Sequence, residues 1–140
     1  MRAIMNFISF RVMENNYNIE ILNSKTTEED QQNASMQVNI SHSNVENNNG
    51  ILELALIISD FGIDYRRDIS IKVQGVFSFD DVDDDDYCEN LLRVNGSAIL
   101  MPYIRNYISM ITGFDNSTEH LLLPTMNIQA IIDSETPIDE

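Results

Sequence analysis

The sequence has few of the residues that make covalent cross-links or metal centres. Cys88 is the single cysteine in 140 residues, so no disulfide can form within the chain. A structural zinc site would have to combine its thiolate with His42 and His120, the two histidines present. We therefore expect no metal and no cofactor, and a reducing compartment suits this composition.

Basic residues are also scarce. The chain has 8 Lys and Arg against 23 Asp and Glu, which gives a formal net charge of -15 at pH 7. Because binding to a phosphate backbone depends on a basic surface, nucleic acid is excluded as a partner. Such a negative field attracts cationic partners, although the acidity is equally compatible with a role in solubility alone.

Long apolar runs are absent. The longest, residues 51–58, is too short to span a bilayer. The N-terminal residues "MRAIMNFISF" have one Arg followed by alternating residues, without the continuous apolar stretch and cleavage site of a signal peptide. We expect no direct membrane insertion and a cytoplasmic location.

Catalytic motifs are missing as well. No glycine-rich phosphate loop follows a strand, and no Gly-x-Ser-x-Gly elbow is present. His42 and His120 lie far apart in polar segments, which is typical of surface histidines. Cys88, near a predicted helix start, is more typical of a small packing residue than of a nucleophile. We expect no enzymatic activity.

Strand-like alternation of apolar and polar residues dominates the first 80 residues. It predicts one interrupted strand over residues 8–12 and 19–21, then strands over residues 36–40, 51–59 and 69–79. The polar run "NSKTTEEDQQN" is interpreted as a loop, and "NVENNNG" predicts a hairpin turn because Asn and Gly tolerate positive φ. Short connections favour an antiparallel meander.

The second half of the chain has a helical pattern. The acidic residues 80–86 lack the spacing of a calcium-binding EF-hand loop and predict a helix N-terminus instead. Residues 95–97, "NGS", predict a break with a new N-cap, and Pro102 predicts a kink or a later helix start. A short final helix is expected from about Met126, followed by an acidic flexible tail at residues 133–140.

These patterns predict a single α+β domain over residues 1–140. The helix beginning near Ile99 has apolar residues in two adjacent columns at a spacing of four, and the strand at residues 51–58 is apolar on both faces. One small sheet and one long helix cannot cover all of this surface. The excess indicates either an oligomer interface or a binding surface, and the oligomer interface is the simpler reading.

The C-terminal half carries a specific resemblance. The stretch "ILMPYIRNYISMITGF" followed by "LLLPTMNIQAII" resembles SecB, the bacterial protein-export chaperone family, and the chain is identified as a remote member. Positions that match the family's pattern in order are Leu100, Pro102, Tyr103, Arg105, Ile108, Ser109, Pro124, Asn127 and Ala130. The strand "IKVQGVFSFDD" resembles the family's last strand, with Val73, Gln74, Phe77 and Ser78 at corresponding places.

This resemblance implies a four-stranded antiparallel sheet with one long broken helix and one short C-terminal helix. It implies a homo-oligomer, a dimer of dimers, that holds unfolded or nascent polypeptides without ATP and delivers preproteins to the motor SecA. The implied client-binding residues are Met36, Val38, Ile40, Phe77, Phe79, Met101 and Tyr103, with plain core burial as the alternative for the last four. The predicted oligomer interface comprises Ile99, Tyr103, Ile104, Tyr107, Ile108 and Ile111.

One departure from the family pattern affects the expected partner. The strand that docks SecA carries an exposed Leu and Glu in the family, and the aligned residues here are Ser70 and Lys72. Holding clients is therefore better supported than transfer to SecA. The alternative is a SecB-fold adaptor that serves one partner, such as an antitoxin, without SecA docking.

Overall fold

The computed structural model describes residues 4–80 and 84–123. They form an α+β fold in which one four-stranded antiparallel sheet packs against a long helical segment. In chain order the elements are β1 (Ile4–Ile21), α1 (Glu28–Gln32), β2 (Ser35–His42), β3 (Asn49–Phe61), β4 (Tyr65–Asp80), α2 (Asp85–Leu91), a π-helical turn (Leu92–Gly96) and α3 (Ser97–Thr112). None of the helices in these ranges is long and apolar enough to cross a membrane.

The sheet has the order β1-β4-β3-β2, so the predicted meander is correct only for β2 to β4. β1 pairs with β4 along its whole length rather than with β2. The link over residues 22–34 makes this possible, because it runs past the turn between β3 and β4. The amide of Leu22 donates to the carbonyl of Asp64 at 2.8 Å, and that of Thr26 donates to Ile63 at 2.8 Å.

β1 is one continuous strand with two β-bulges, which explains its interrupted pattern. Its register against β4 shifts between Phe7 and Ser9 and again between Val12 and Glu14. Each bulge adds one residue and reverses the alternation of faces. Strict alternation along residues 8–12 would place Ile8 on the same face as Phe10 and Val12, but Ile8 lies in the first bulge and is outside the paired register.

The two turn-rich segments near β2 are well defined. Asn47 and Asn48 have φ values of 53° and 62°, which confirms the predicted hairpin turn with positive φ. The polar segment before β2, interpreted from the sequence as a loop, contains the short helix α1. Its capping box joins Thr27 and Asp30, each side chain accepting from the other's backbone amide.

The helical segment starts as predicted but does not break where predicted. The Asp84 carboxylate accepts from the backbone N–H of Tyr87 and is the N-cap of α2. Residues 95–97 then continue the helix through a π-helical turn, and Gly96 keeps right-handed helical angles instead of preceding a cap. A Cβ on Gly96 would lie 2.9 Å from Cδ2 of Leu52, so glycine allows close packing on β3. α3 runs through Pro102, and its start is not delayed.

The core lies between one face of the sheet and α2, the π-helical turn and α3. Its buried members include Leu52, Leu54, Leu56, Ile58, Ile69, Ile71, Val73, Phe77, Phe79, Leu92, Leu100, Met101, Ile104 and Ile108. The predicted short helix from Met126 and the acidic tail at residues 133–140 lie outside the described residues.

Candidate functional site

An open apolar groove lies between β1 and α3. α3 packs over β3 and β4, where Leu100 lies close to Gly75 of β4. β1, the edge strand next to β4, lies beside α3. The groove has a volume of about 260 Å³ and is lined by Phe10, Val12, Ile71, Val73, Tyr103, Asn106, Tyr107 and Met110. No charged residue lies among these, so the β1–α3 groove, defined by this set, is suited to apolar contacts.

A cluster of aromatic rings, tilted against one another, forms one wall of the β1–α3 groove. The ring centroids of Phe10 and Tyr103 are 4.4 Å apart, and Phe7 lies 6.2 Å from Tyr103 and 5.4 Å from Phe77. Tyr103 is 42% exposed in spite of these contacts, and Met110 is 67% exposed. The rings therefore form a preformed apolar surface, since aromatic pairs at these distances stabilise each other.

A second apolar surface follows β2, which is one of the two edge strands of the sheet. Met36 and Val38 of β2 lie opposite Ile58 and Leu56 of β3, on the face that carries the core. Met36 is 48% exposed and Val38 is half-buried. Within the described part of the chain, β2 pairs on one side only. This β2 edge surface, formed by Met36, Val38 and the free edge of β2, can accept an extended polypeptide as an added strand.

A buried ion pair fixes the chain that follows α3. Arg67 is 1% exposed, and its guanidinium makes two bonds to the carboxylate of Asp60, Nε to Oδ1 at 2.9 Å and Nη2 to Oδ2 at 2.7 Å. Burial alone would lower the pKa of Arg67, but the bonds and charge of Asp60 outweigh it and raise the pKa. Arg67 is thus permanently charged and available as a donor.

The segment after α3, residues 119–123, returns along the core and is called the return segment here. Arg67 Nη1 donates to the carbonyl of Glu119 at 2.8 Å. The Glu119 amide donates to the Tyr65 hydroxyl at 2.8 Å. The Leu121 amide donates to Oγ1 of Thr112 at 3.0 Å. We call Arg67, Asp60 and Tyr65 the Arg67 latch, because together they hold both backbone groups of Glu119.

The two histidines have local roles at loops. Nε2 of His120 lies 2.8 Å from the carbonyl of Ser109 at the end of α3, and Nδ1 of His42 lies 2.9 Å from the carbonyl of Ser43. Asp115, in the loop between α3 and the return segment, accepts hydrogen bonds from Thr118, which lower the pKa of Asp115. In the ranges that the structure describes, no three His, Cys, Asp or Glu residues are grouped as metal ligands.

The structure separates the predicted client-binding residues into two groups. Phe77 is 0% exposed, and Ile40, Phe79 and Met101 are also buried. Their side chains contribute to the core in this conformation. This burial favours the core alternative for Phe77, Phe79 and Met101, and a client-binding role for all four stays a prediction. Met36, Val38 and Tyr103 are accessible, and their role remains a prediction.

The predicted oligomer residues of α3 also divide by face. Ile104 and Ile108 are buried against the sheet together with Leu100, so one of the two apolar columns belongs to the core. Ile99, Tyr103, Tyr107 and Ile111 are partly or well exposed. The sequence did not predict that Phe10, Val12 and Met110 line a groove together with this exposed column. Phe10 and Val12 belong to β1, and local patterns do not show the strand pairing that brings β1 beside α3.

Ser70 and Lys72 lie on the sheet face opposite the helices. They alternate along β4 with the buried residues Ile69, Ile71 and Val73. Nζ of Lys72 is 3.9 Å from Oε1 of Glu14 on β1. These two positions therefore carry a hydroxyl and a basic side chain, and a large apolar side chain beside them is that of Ile57, the cross-strand partner of Ser70.

No family model and no curated protein matches the sequence. The structure is similar to a SecB-like chaperone of Mycobacterium tuberculosis in complex with a ChAD peptide from the HigA1 antitoxin, with a TM-score of 0.66 and 12% identity over 87% of each chain. A protein of unknown function from Streptococcus agalactiae has a TM-score of 0.43 and 13% identity, over 88% of this chain and 100% of that chain. The chain therefore has the SecB-like fold that its C-terminal motif predicted.

Proposed function

We propose that the protein is an ATP-independent chaperone that binds unfolded or nascent polypeptide segments. The β2 edge surface carries this proposal, because it combines exposed apolar side chains with a strand edge that has no partner among residues 4–80 and 84–123. The similar fold of a chaperone that binds an antitoxin peptide supports it. Holding an unfolded segment requires neither a catalytic residue nor a cofactor, and the proposal includes none.

The chemistry of the β2 edge surface suits many client sequences. Backbone N–H and C=O groups along a strand edge bind any extended polypeptide, whatever its side chains. Met36 has a flexible, polarisable thioether that adapts to differently shaped partners. The net charge of -15 adds attraction for clients with basic segments. Affinity therefore comes from general features of an unfolded chain.

Met36→Glu is expected to weaken client binding about tenfold. Burying a methionine side chain contributes about 1.5 kcal/mol or more, and the variant replaces that contribution with a charge. Fluorescence anisotropy of a labelled, reduced and alkylated secretory protein, kept unfolded by that treatment, measures the change in Kd.

Gln37→Glu is the matched control for this variant. It adds the same charge to the same strand, but Gln37 alternates with Met36 and lies on the opposite face of the sheet. Its Kd should stay within a factor of two of the wild-type value by the same reasoning. Equal Kd values for Met36→Glu and wild type would exclude the β2 edge surface as the client site.

We also propose that the protein is a homo-oligomer assembled through the β1–α3 groove. Phe10, Val12, Tyr103 and Met110 expose a continuous apolar surface there. Such a surface on a soluble domain indicates a partner. A dimer of dimers, as in the SecB family, is the assembly that the resemblance implies.

Client binding is compatible with transfer to SecA and with a role that does not involve SecA. We propose a cytoplasmic location in both cases. Ser70 and Lys72 replace the Leu and Glu that the resemblance associates with SecA docking. We therefore favour a chaperone that holds clients without this docking. A binding assay with the SecA C-terminal tail distinguishes the two roles, since binding would support export and its absence would support an adaptor for a dedicated partner.

A further inference from the structure

The sulfur-containing side chains differ widely in their access to solvent. Met36 and Met13 are 48% and 46% exposed, and Met110 of the β1–α3 groove is exposed as well. Met101 is buried in the core, and so is Cys88, the single thiol of the chain. Because oxidation of sulfur requires contact with a dissolved oxidant, Met36 is accessible to one while Cys88 and Met101 are shielded.

The surroundings of Met36 are apolar on the face where its side chain lies. Its register partner on β3 is Ile58, and Val38 follows two positions along β2. Neither of these side chains can donate a hydrogen bond. An oxygen added to the sulfur of Met36 would therefore accept hydrogen bonds from water while the β2 edge surface is free. A client strand at that edge displaces the water, and the polar oxygen then meets apolar groups.

We propose that Met36 is an oxidation site, at which a peroxide converts the protein to a form that binds clients more weakly. This inference rests on the proposed chaperone function, since it assigns a regulatory modification to the β2 edge surface. The product, methionine sulfoxide, is polar and uncharged, and methionine sulfoxide reductases convert it back to methionine. The change at Met36 is therefore reversible.

The oxidation transfers one oxygen atom and two electrons. The lone pair of the Met36 sulfur attacks one oxygen of hydrogen peroxide, so that an S–O bond forms while the O–O bond breaks. Sulfur loses two electrons, and the peroxide gains them. The other peroxide oxygen leaves as hydroxide and takes up the proton of the transferred oxygen to become water.

Peroxide treatment of the purified protein, followed by removal of the peroxide, tests this proposal. Peptide mass spectrometry should show faster oxidation of Met36 and Met13 than of Met101. Fluorescence anisotropy with the reduced and alkylated secretory protein should give a Kd roughly fivefold above the untreated value, because an unsatisfied polar group replaces an apolar contact. Reductases for both sulfoxide epimers should restore the affinity.

Two leucine variants separate Met36 from the other methionines, and the effect is measured in each as the ratio of the Kd after treatment to the Kd before it. Met36→Leu has no sulfur at this position, so its ratio should stay within about a factor of two, although the other methionines still react. Met13→Leu is the matched control, because Met13 is similarly exposed but lies in the second bulge of β1, at the opposite edge of the sheet. Its ratio should match that of the wild type.

A similar ratio in Met36→Leu and in the wild type would overturn the proposal, because the loss of affinity would then come from another methionine. Unchanged affinity of a wild-type protein whose Met36 is fully oxidised would overturn it as well, and so would a Met36 that reacts no faster than Met101. If the untreated wild-type protein binds no client, the proposed function fails and the effect on binding fails with it. That case is recognised separately, since it appears before any peroxide is added.

Discussion

Phe77→Ala is expected to lower the free energy of unfolding by about 3–5 kcal/mol, the range for removing a buried aromatic side chain. Phe77 is 0% exposed, lies 5.4 Å from Phe7 between ring centroids, and lines the space beside Gly96. Because small domains are stable by only about 5–15 kcal/mol, this loss would be a large part of the total. Urea unfolding followed by circular dichroism measures it.

Ile57→Ala serves as the control for this substitution. Ile57 is an apolar residue of β3 on the opposite, exposed face of the sheet, and its truncation should change stability by less than about 1 kcal/mol. Should Phe77→Ala prevent folding altogether, Phe77→Leu gives a smaller loss that stays measurable. Wild-type stability combined with lost client binding would show that Phe77 is a client contact after all, as the resemblance implied.

Tyr103→Asp is expected to weaken self-association roughly a hundredfold, since an unpaired carboxylate would have to be buried among apolar groups. Tyr103 lies in the centre of the aromatic wall and is 42% exposed in one chain. Multi-angle light scattering should give a mass above 16.0 kDa for the wild type and the monomer mass for the variant.

The control is Asn95→Asp, which adds the same charge at an exposed position of the π-helical turn outside the β1–α3 groove. It should retain the wild-type mass. A wild-type protein that is a monomer of 16.0 kDa at micromolar concentration would contradict the oligomer proposal. An oligomer that Tyr103→Asp leaves intact would place the interface elsewhere.

Local signals in the sequence were enough to predict most elements of the fold. Alternation located the strands, and the asparagines at positions 47 and 48 adopt positive φ in the turn where they were expected. Asp84 caps the helix whose start the acidic residues predicted. Each of these features depends on residues within a few positions of one another, which is why a single sequence shows them.

Features that depend on distant residues could not be predicted in this way. β1 and β4 are the first and the last strand in the sequence, yet they pair in the sheet. The preference for short connections favours pairing of β1 with β2 instead. The helix continues through Gly96 because Leu52, on β3, requires close packing there. In an isolated sequence, "NGS" has the composition of a break.

The candidate site shows the same limit. Periodicity identifies an apolar face but not what covers it, so Phe77 and Met36 look alike in the sequence although one is buried and the other is 48% exposed. No pattern in the sequence predicted the Arg67 latch, because Asp60, Tyr65 and Glu119 come together only in the folded chain. The motif around Pro102 and Tyr103 predicted the fold correctly, and the structure adds the aromatic wall in which Tyr103 packs.

The central claim, that the protein holds unfolded polypeptides, is tested most directly by the aggregation of a denatured client protein diluted from urea. Aggregation is recorded as turbidity, with the protein equimolar to the client and without ATP. The account predicts that the wild type suppresses aggregation, that Gln37→Glu does so equally, and that Met36→Glu does so less. Unchanged aggregation in the presence of stoichiometric wild-type protein would contradict the account.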